Sequence, residues 1–189
     1  MTYKVGYIVG SLSSNSINRR LADALVKLGP EADLELVEIP IADLPLYNHD
    51  YDADYPEVGK ALKRAIADVD AVLFVTPEYN RSVPGALKNA IDWASRPWGQ
   101  NSLTGKPSAV TGASIGAIGT AVAQQHLRSI LSFCASPELA QPEAYIQVTE
   151  GLIAEDGTVT NESTREFLTT WLKAFTAHIA RYADDEVAA

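Results

Sequence analysis

Residues 71–96 read AVLFVTPEYNRSVPGALKNAIDWASR. The stretch opens on Ala71-Val72-Leu73-Phe74-Val75, an apolar run rich in β-branched side chains. That is the pattern of a strand covered on both faces in a parallel sheet. The run stops at Thr76, and Pro77, Glu78, Tyr79, Asn80, Arg81, Ser82 and Val83 form a polar loop. Pro84 stands where the first helical residue is expected, and Ala86, Leu87, Ala90, Ile91 and Ala94 recur on one helical face. A buried strand that ends in a polar loop before a helix is where open α/β sheets bind ligands, at the carboxyl edge of the strands.

The same unit repeats on either side. Tyr3 to Val9 predicts a strand, Gly10 to Arg19 a hydroxyl-rich loop, and Leu21, Ala24, Leu25 and Leu28 a helix. Leu34 to Ile39 is a second strand, Ile41 to Tyr55 a long surface connection, and Pro56 to Asp68 a helix. Pro97 to Pro107 is a Pro- and Gly-bearing link. The fourth strand starts at Ser108 and runs into Gly112-Ala113-Ser114-Ile115-Gly116-Ala117-Ile118-Gly119; Val122, Leu127, Ile130, Leu131 and Cys134 mark its helix. Ser136 to Val148 holds a fifth strand broken by Pro137 and Pro142, which places it near an edge. Asp156-Gly157 is a turn, and Asn161 caps a last helix whose apolar face is Phe167, Leu168, Trp171, Leu172, Phe175 and Ile179. The alternation predicts one α/β domain over residues 1–183 with a frayed tail at 184–189. Five strands favour the flavodoxin-like three-layer sandwich, a parallel sheet of order 2-1-3-4-5, over the six-stranded dinucleotide fold.

The 189 residues and 47% hydrophobic content suffice for one substantial core. No apolar stretch is long enough to span a bilayer and no secretion signal is visible, so a cytoplasmic location is expected. The single cysteine, Cys134, reads as core and agrees with a reducing compartment. A net charge of -9 argues against nucleic-acid and anionic-membrane partners. An anionic ligand must therefore be held by local donors. Asp50, Asp52 and Asp54 mimic the start of a calcium loop, but Tyr55 and Ala61 stand where glycine and glutamate are needed. His49, His126 and His178 lack partners at zinc spacing, so no metal is expected.

Three loops converge at one sheet edge. The first offers Ser11, Ser13, Ser14, Ser16 and Asn18 before a helix start, with Arg19 adjoining. Such a loop suits a phosphate, and equally a simple helix cap. The third, Gly112-Ala113-Ser114-Ile115-Gly116, matches a nucleophile elbow, which would pair Ser114 with Asp156 and His178; alternatively its glycines let backbone approach a flat ligand.

The middle loop and its helix, Pro77-Glu78-Tyr79-Asn80-x-Ser82-x-Pro84-Gly85-x-Leu87-Lys88-Asn89-x-Ile91-Asp92-Trp93, resemble the signature of the NADPH-dependent FMN reductase family, which includes chromate and quinone reductases. Gly10-Ser11 with Ser16, Asn18, Arg19 and Leu21 is similar to that family's phosphate loop, and Gly112-Ala113-Ser114 with Gly116 and Gly119 to its third flavin loop. The resemblance implies an FMN-dependent NADPH or NADH oxidoreductase passing hydride by a ping-pong mechanism to a small electron acceptor: a quinone, chromate, an azo compound or free flavin.

It also implies a cofactor site built from Ser11, Ser13, Ser16, Ile17, Asn18 and Arg19 around the phosphate. Pro77, Glu78, Tyr79, Asn80 and Ser82 would flank the ring, with Ser114 and Gly116 at its pyrimidine end. No catalytic side chain is implied, and Glu78 reads as a solvated loop end or as an ion-pair partner of Arg81 or Lys88 rather than a catalyst. Tyr79, Trp93 and Trp98 are candidates for a substrate wall, the core or a subunit interface. Ser13 stands where many relatives carry arginine and Thr120 where they carry glycine; Thr120 is expected to narrow the approach to the ring. Relatives place the flavin at a dimer interface, so a homodimer or homotetramer is expected. A non-catalytic flavodoxin-type carrier is the remaining alternative.

Overall fold

The structure, a computed structural model, describes residues 1–183; the tail expected at 184–189 lies outside the described residues. Five strands, β1 (Tyr3–Val9), β2 (Leu34–Glu38), β3 (Ala71–Val75), β4 (Ser108–Ser114) and β5 (Ala144–Gln147), form one sheet of order β2-β1-β3-β4-β5. Every adjacent pair is parallel. Helices α1 (Ile17–Leu28), α2 (Glu57–Ala67), α3 (Gly85–Ala94), α4 (Ala121–Phe133) and α5 (Glu162–Ala183) supply the crossovers and cover both faces. The order and the three layers are those expected.

The central strands show why a continuous apolar run reads as a two-faced strand. Ala71, Leu73 and Val75 of β3 pack with α1 and α5, whereas Val72 and Phe74 pack with α2, α3 and α4. Successive side chains point to opposite faces, so both faces must be apolar. β5 lies at an edge, as expected, but it is not broken: Pro137 and Pro142 both precede the strand Ala144–Gln147. Two details differ at the helices. Pro84 is the N-cap of α3 rather than its first residue, with extended backbone, and Phe167 is exposed rather than part of the α5 core face.

The segment 41–55 is not a loose surface connection. Ile41 and Tyr55 are buried, and the segment wraps the Trp93 indole: the rings of Tyr47, Tyr51 and Tyr55 lie 5.2–5.4 Å from it between centroids. Trp93 Nε1 donates to Pro45 O at 2.7 Å, and Asn89 bonds Tyr47 N and Pro45 O. Gly59 of α2 makes room for this cluster, since a Cβ there would stand 2.7 Å from both Trp93 and Tyr55. Trp93 is thus core and stands apart from any substrate wall.

The end of α3 explains the aromatic cluster's polar groups. Four residues beyond Trp93 stands Pro97, which has no N–H to offer the Trp93 carbonyl. The Tyr55 hydroxyl donates to that carbonyl instead. Ser102 N donates to Ala94 O at 3.0 Å, and Lys63 Nζ donates to Ala94 O, Arg96 O and Gln100 O.

Burial is the main cause that pushes the Tyr55 phenol well above its ordinary pKa. The folded state holds that proton more tightly than the unfolded chain does. This contribution is fully present below pH ~10 and is lost as pH rises above it. Tyr55→Phe is expected to cost about 1–3 kcal/mol at neutral pH, because a buried carbonyl loses its donor. It should also flatten the loss of stability above pH ~10 relative to the parent; denaturant unfolding at several pH values checks both.

Candidate functional site

The carboxyl ends of β1, β3 and β4 are tied together. Gly10 N donates to Val75 O and Thr76 N donates to Thr111 O, both at 2.9 Å. The three loops that follow therefore start side by side. β4 approaches β3 so closely that a Cβ on Gly112 would stand 2.0 Å from Thr76 O and 2.3 Å from Thr120 Oγ1. Only glycine permits that approach.

The first loop folds on its own hydroxyls. Ser11 Oγ accepts from Ser13 N, Ser13 Oγ accepts from Asn15 N, and Ser16 caps α1 by accepting from Arg19 N at 3.2 Å. The N–H groups of Ile17 and Asn18 lie in the first turn of α1, where a helix provides no partner. The side chain of Asn18 is fully buried; Nδ2 donates to Ala113 O at 2.9 Å and Oδ1 accepts from Ala113 N at 2.8 Å. Arg19 reaches away from the loop to Glu38, 2.6 Å distant, and that hydrogen bond is the first cause holding its pKa above the ordinary value. Asn18 thus ties the start of α1 to the end of β4 through its side chain.

In the second loop, Tyr79 and Ser82 exchange two backbone bonds of 3.0 Å around Asn80 (φ 51°) and Arg81 (φ 62°). Two successive residues with positive φ make a tight hairpin turn of type I′. Glu78 supports it. Its Oε2 accepts from Val122 N and Ala123 N, capping α4, and its Oε1 meets Arg81 at 3.1 Å. Thr120, the N-cap of α4, makes no capping bond of its own. Lys88 pairs instead with Asp92. Ser82 Oγ lies 3.0 Å from His126 Nδ1 on α4.

In the third loop, Ser114 Oγ accepts from Gly116 N at 3.1 Å, and Gly119 takes a positive φ of 58° before α4 begins. Thr120 is fully buried and its Oγ1 accepts from Gln124 Nε2, so it turns beneath β4 and does not narrow the surface between the loops. Of the exposed apolar side chains on the loops, Tyr79 was legible as a site residue, whereas Leu12, Ile115 and Ile118 were not. Leu12, Tyr79, Ile115 and Ile118 are 57%, 52%, 79% and 48% exposed, and together they put apolar surface on all three loops. For Leu12, Ile115 and Ile118 the only signal in the sequence was their place in otherwise polar loops. Two clefts lie elsewhere, one of about 560 Å³ beside Trp98 and Phe133 and one of about 470 Å³ at the opposite sheet edge. The three loops form an open trough.

The serine-hydrolase geometry is absent. His178 Nε2 lies 3.0 Å from Pro137 O, which also accepts from Ser108 N at the start of β4. Ser114 ends that strand, about 20 Å away at 3.3 Å per residue. Asp156 is committed to Lys27 in the last turn of α1, and this bond, with Thr158, holds its carboxyl down at about 2. Among the described residues no group of three or more His, Cys, Asp or Glu side chains could hold a metal ion. None of the described helices is long and apolar enough to cross a membrane.

A family model for NADPH-dependent FMN reductase matches residues 3–151. The chain belongs to this family. It is 49% identical over 179 residues to a 2-hydroxy-1,4-benzoquinone reductase of Burkholderia sp, covering 95% of this chain and 97% of that one. It is 47% identical to a quinone reductase of Pseudomonas putida, over 94% of this chain and 95% of the relative. Among solved structures it is similar to FerB, a flavoenzyme NAD(P)H:(acceptor) oxidoreductase from Paracoccus denitrificans, with a TM-score of 0.91 and 48% identity over 96% and 99% of the two chains. As an FMN reductase family member the chain is an oxidoreductase dependent on FMN and NAD(P)H, which displaces the hydrolase and carrier alternatives.

Gly112→Ala is expected to cost this reductase several kcal/mol, because a methyl group cannot share space with Thr76 O and strand backbone must move. Thermal unfolding measures the loss. Gly116→Ala, whose Cβ would meet nothing nearer than Ser114 Oγ at 3.5 Å, should fold like the parent.

Proposed function

We propose that the protein is an NAD(P)H-dependent quinone reductase whose FMN lies in the trough between the three loops. The observation that carries this reading is the pairing of a hydroxyl-lined helix start with exposed apolar side chains on adjoining loops. Such a donor set suits a phosphate at one end and a flat apolar ring at the other. FMN, when bound, supplies hydride acceptance from NAD(P)H and hydride delivery to the acceptor.

The chain's own residues bind, orient and exclude water. Ser11, Ser13 and Ser16, with the N–H groups of Ile17 and Asn18, hold the phosphate, while the N–H of Arg19 stays with Ser16 Oγ. The overall charge of -9 gives an anion no help, so these local donors must suffice. Pro77, Glu78, Tyr79 and Asn80 flank the ring, with Asn80 toward its reactive edge, and Ser82 closes the turn behind them. Ser114 Oγ already accepts from Gly116 N, which leaves its own O–H to donate at the pyrimidine end. Leu12, Ile115 and Ile118 shield the ring from water. Glu78 stays a scaffold, since both of its oxygens are engaged.

Quinones suit the trough better than chromate does, because Leu12, Tyr79, Ile115 and Ile118 expose apolar surface against which a flat aromatic acceptor can lie. One open face admits donor and acceptor in turn, so ping-pong kinetics are expected. The curated relatives' activities on quinones, including 2-hydroxy-1,4-benzoquinone, point the same way. We assign a homodimer, or a tetramer of two dimers, with the open side of the trough near the interface. Exposed Trp98 and Phe133, at 75% and 76%, are further surface for a second copy. A cytoplasmic location accords with the buried unpaired Cys134.

The visible spectrum tests this function. Purified protein is expected to be yellow, to bleach within seconds when NADPH is added anaerobically, and to recolour with a benzoquinone. Protein that stays colourless after incubation with FMN and gel filtration rules the reading out. Parallel lines in double-reciprocal plots check the ping-pong order, and light scattering after size-exclusion chromatography checks the subunit number.

A further inference from the structure

We propose that His126 is a positioning residue for the turn that walls the flavin site, acting through Ser82. The inference rests on the function proposed above. Asn80 and Arg81 both adopt left-handed backbone, a conformation that costs a non-glycine residue of order 1 kcal/mol and persists only where its surroundings enforce it. Two backbone bonds between Tyr79 and Ser82 close the turn locally. They do not fix its place relative to the sheet.

One helix does that from both sides. At the entry, Glu78 Oε2 accepts from Val122 N at 3.0 Å and from Ala123 N at 3.1 Å. At the exit, Ser82 Oγ sits 3.0 Å from Nδ1 of His126, one helical turn further along α4. Both legs of the turn therefore rest on α4, whose first residues also end the third loop. The clamp sets the spacing of the second and third walls of the trough and leaves the first loop alone. His126 is exposed, so its ring is not held there by burial. Its bond to Ser82 is the contact that ties it to the site, with the imidazole nitrogen accepting from the hydroxyl or donating to it according to tautomer.

Loosening the exit leg should disturb docking of the acceptor without releasing FMN, since the phosphate donors lie on the other loop. The experiment compares holoenzyme variants His126→Phe, Ser82→Ala, the double variant and His126→Asn, whose amide stands where Nδ1 stood. For His126→Phe we expect KM for a benzoquinone to rise about fivefold, the equivalent of one hydrogen bond of ~1 kcal/mol, with kcat within about twofold. Bound FMN and the thermal midpoint should be unchanged, and amide hydrogen exchange across residues 77–84 should quicken. Ser82→Ala should raise KM alike, the double variant no further, and His126→Asn should restore the parent value.

Unchanged exchange and KM in His126→Phe would overturn the proposal. So would additive losses in the double variant, failure of His126→Asn to restore KM, or loss of FMN or of thermal stability in His126→Phe. The exchange measurement needs no flavin. Should the parent not bind FMN, the proposed function fails by its own test, while exchange still decides whether His126 holds the turn.

Discussion

The site depends on one side chain that behaves like strand backbone. Asn18 presents its amide to Ala113 as a neighbouring strand would, donating to the carbonyl and accepting from the N–H in a paired geometry at 2.9 and 2.8 Å. Both groups are buried, so each would incur a desolvation cost if left alone. The pair fixes the start of α1 against the end of β4. With the backbone links from Gly10 to Val75 and from Thr76 to Thr111, it makes three separate loops into one surface. Remove that registration and the serine loop still caps its helix, but it no longer faces the other two.

Helix ends do much of the remaining work. A helix leaves its first N–H groups and last carbonyls without partners, and here distant segments satisfy them. Glu78 from the second loop serves the start of α4, while Tyr55, Lys63 and Ser102 serve the end of α3 and the segment beyond it. Those bonds join elements far apart in the chain, so the walls of the trough and the aromatic cluster around Trp93 are stabilised by the same kind of interaction. It also explains why the carboxylate of the second loop is not free for chemistry: Glu78 neutralises the positive end of α4 and pairs with Arg81.

Much of this was legible beforehand. Apolar runs, polar loops and helical faces placed the first four strands and the helices to within a residue or two, whereas the fifth strand is only Ala144–Gln147 of the broken stretch expected over Ser136 to Val148; the count of five strands favoured the sheet order that is observed. The unusual loops after β1, β3 and β4 marked the edge at which the cofactor site is proposed. The segment from Ile41 to Tyr55 escaped because its tyrosines follow no helical or strand period; only Trp93, distant in sequence, makes them core. Thr120 was misjudged for a related reason. Nothing local says whether a threonine before a helix turns outward or, as here, beneath the neighbouring strand toward Gln124.

What the amino-acid sequence determined by itself is what short-range chemistry dictates: which stretches must be strands covered on both faces, where helices begin, and which loops carry hydroxyls and glycines at a sheet edge. These follow from periodicity and steric rules that act within a few residues. The tertiary structure alone decided partnership. It engaged Asn18 with Ala113, Glu78 with the amides of α4, and Ser82 with His126, and it turned Leu12, Tyr79, Ile115 and Ile118 outward around one trough. Those outcomes depend on the distances left between elements once both faces of the sheet are packed, and such distances belong to the whole fold rather than to any stretch of the chain.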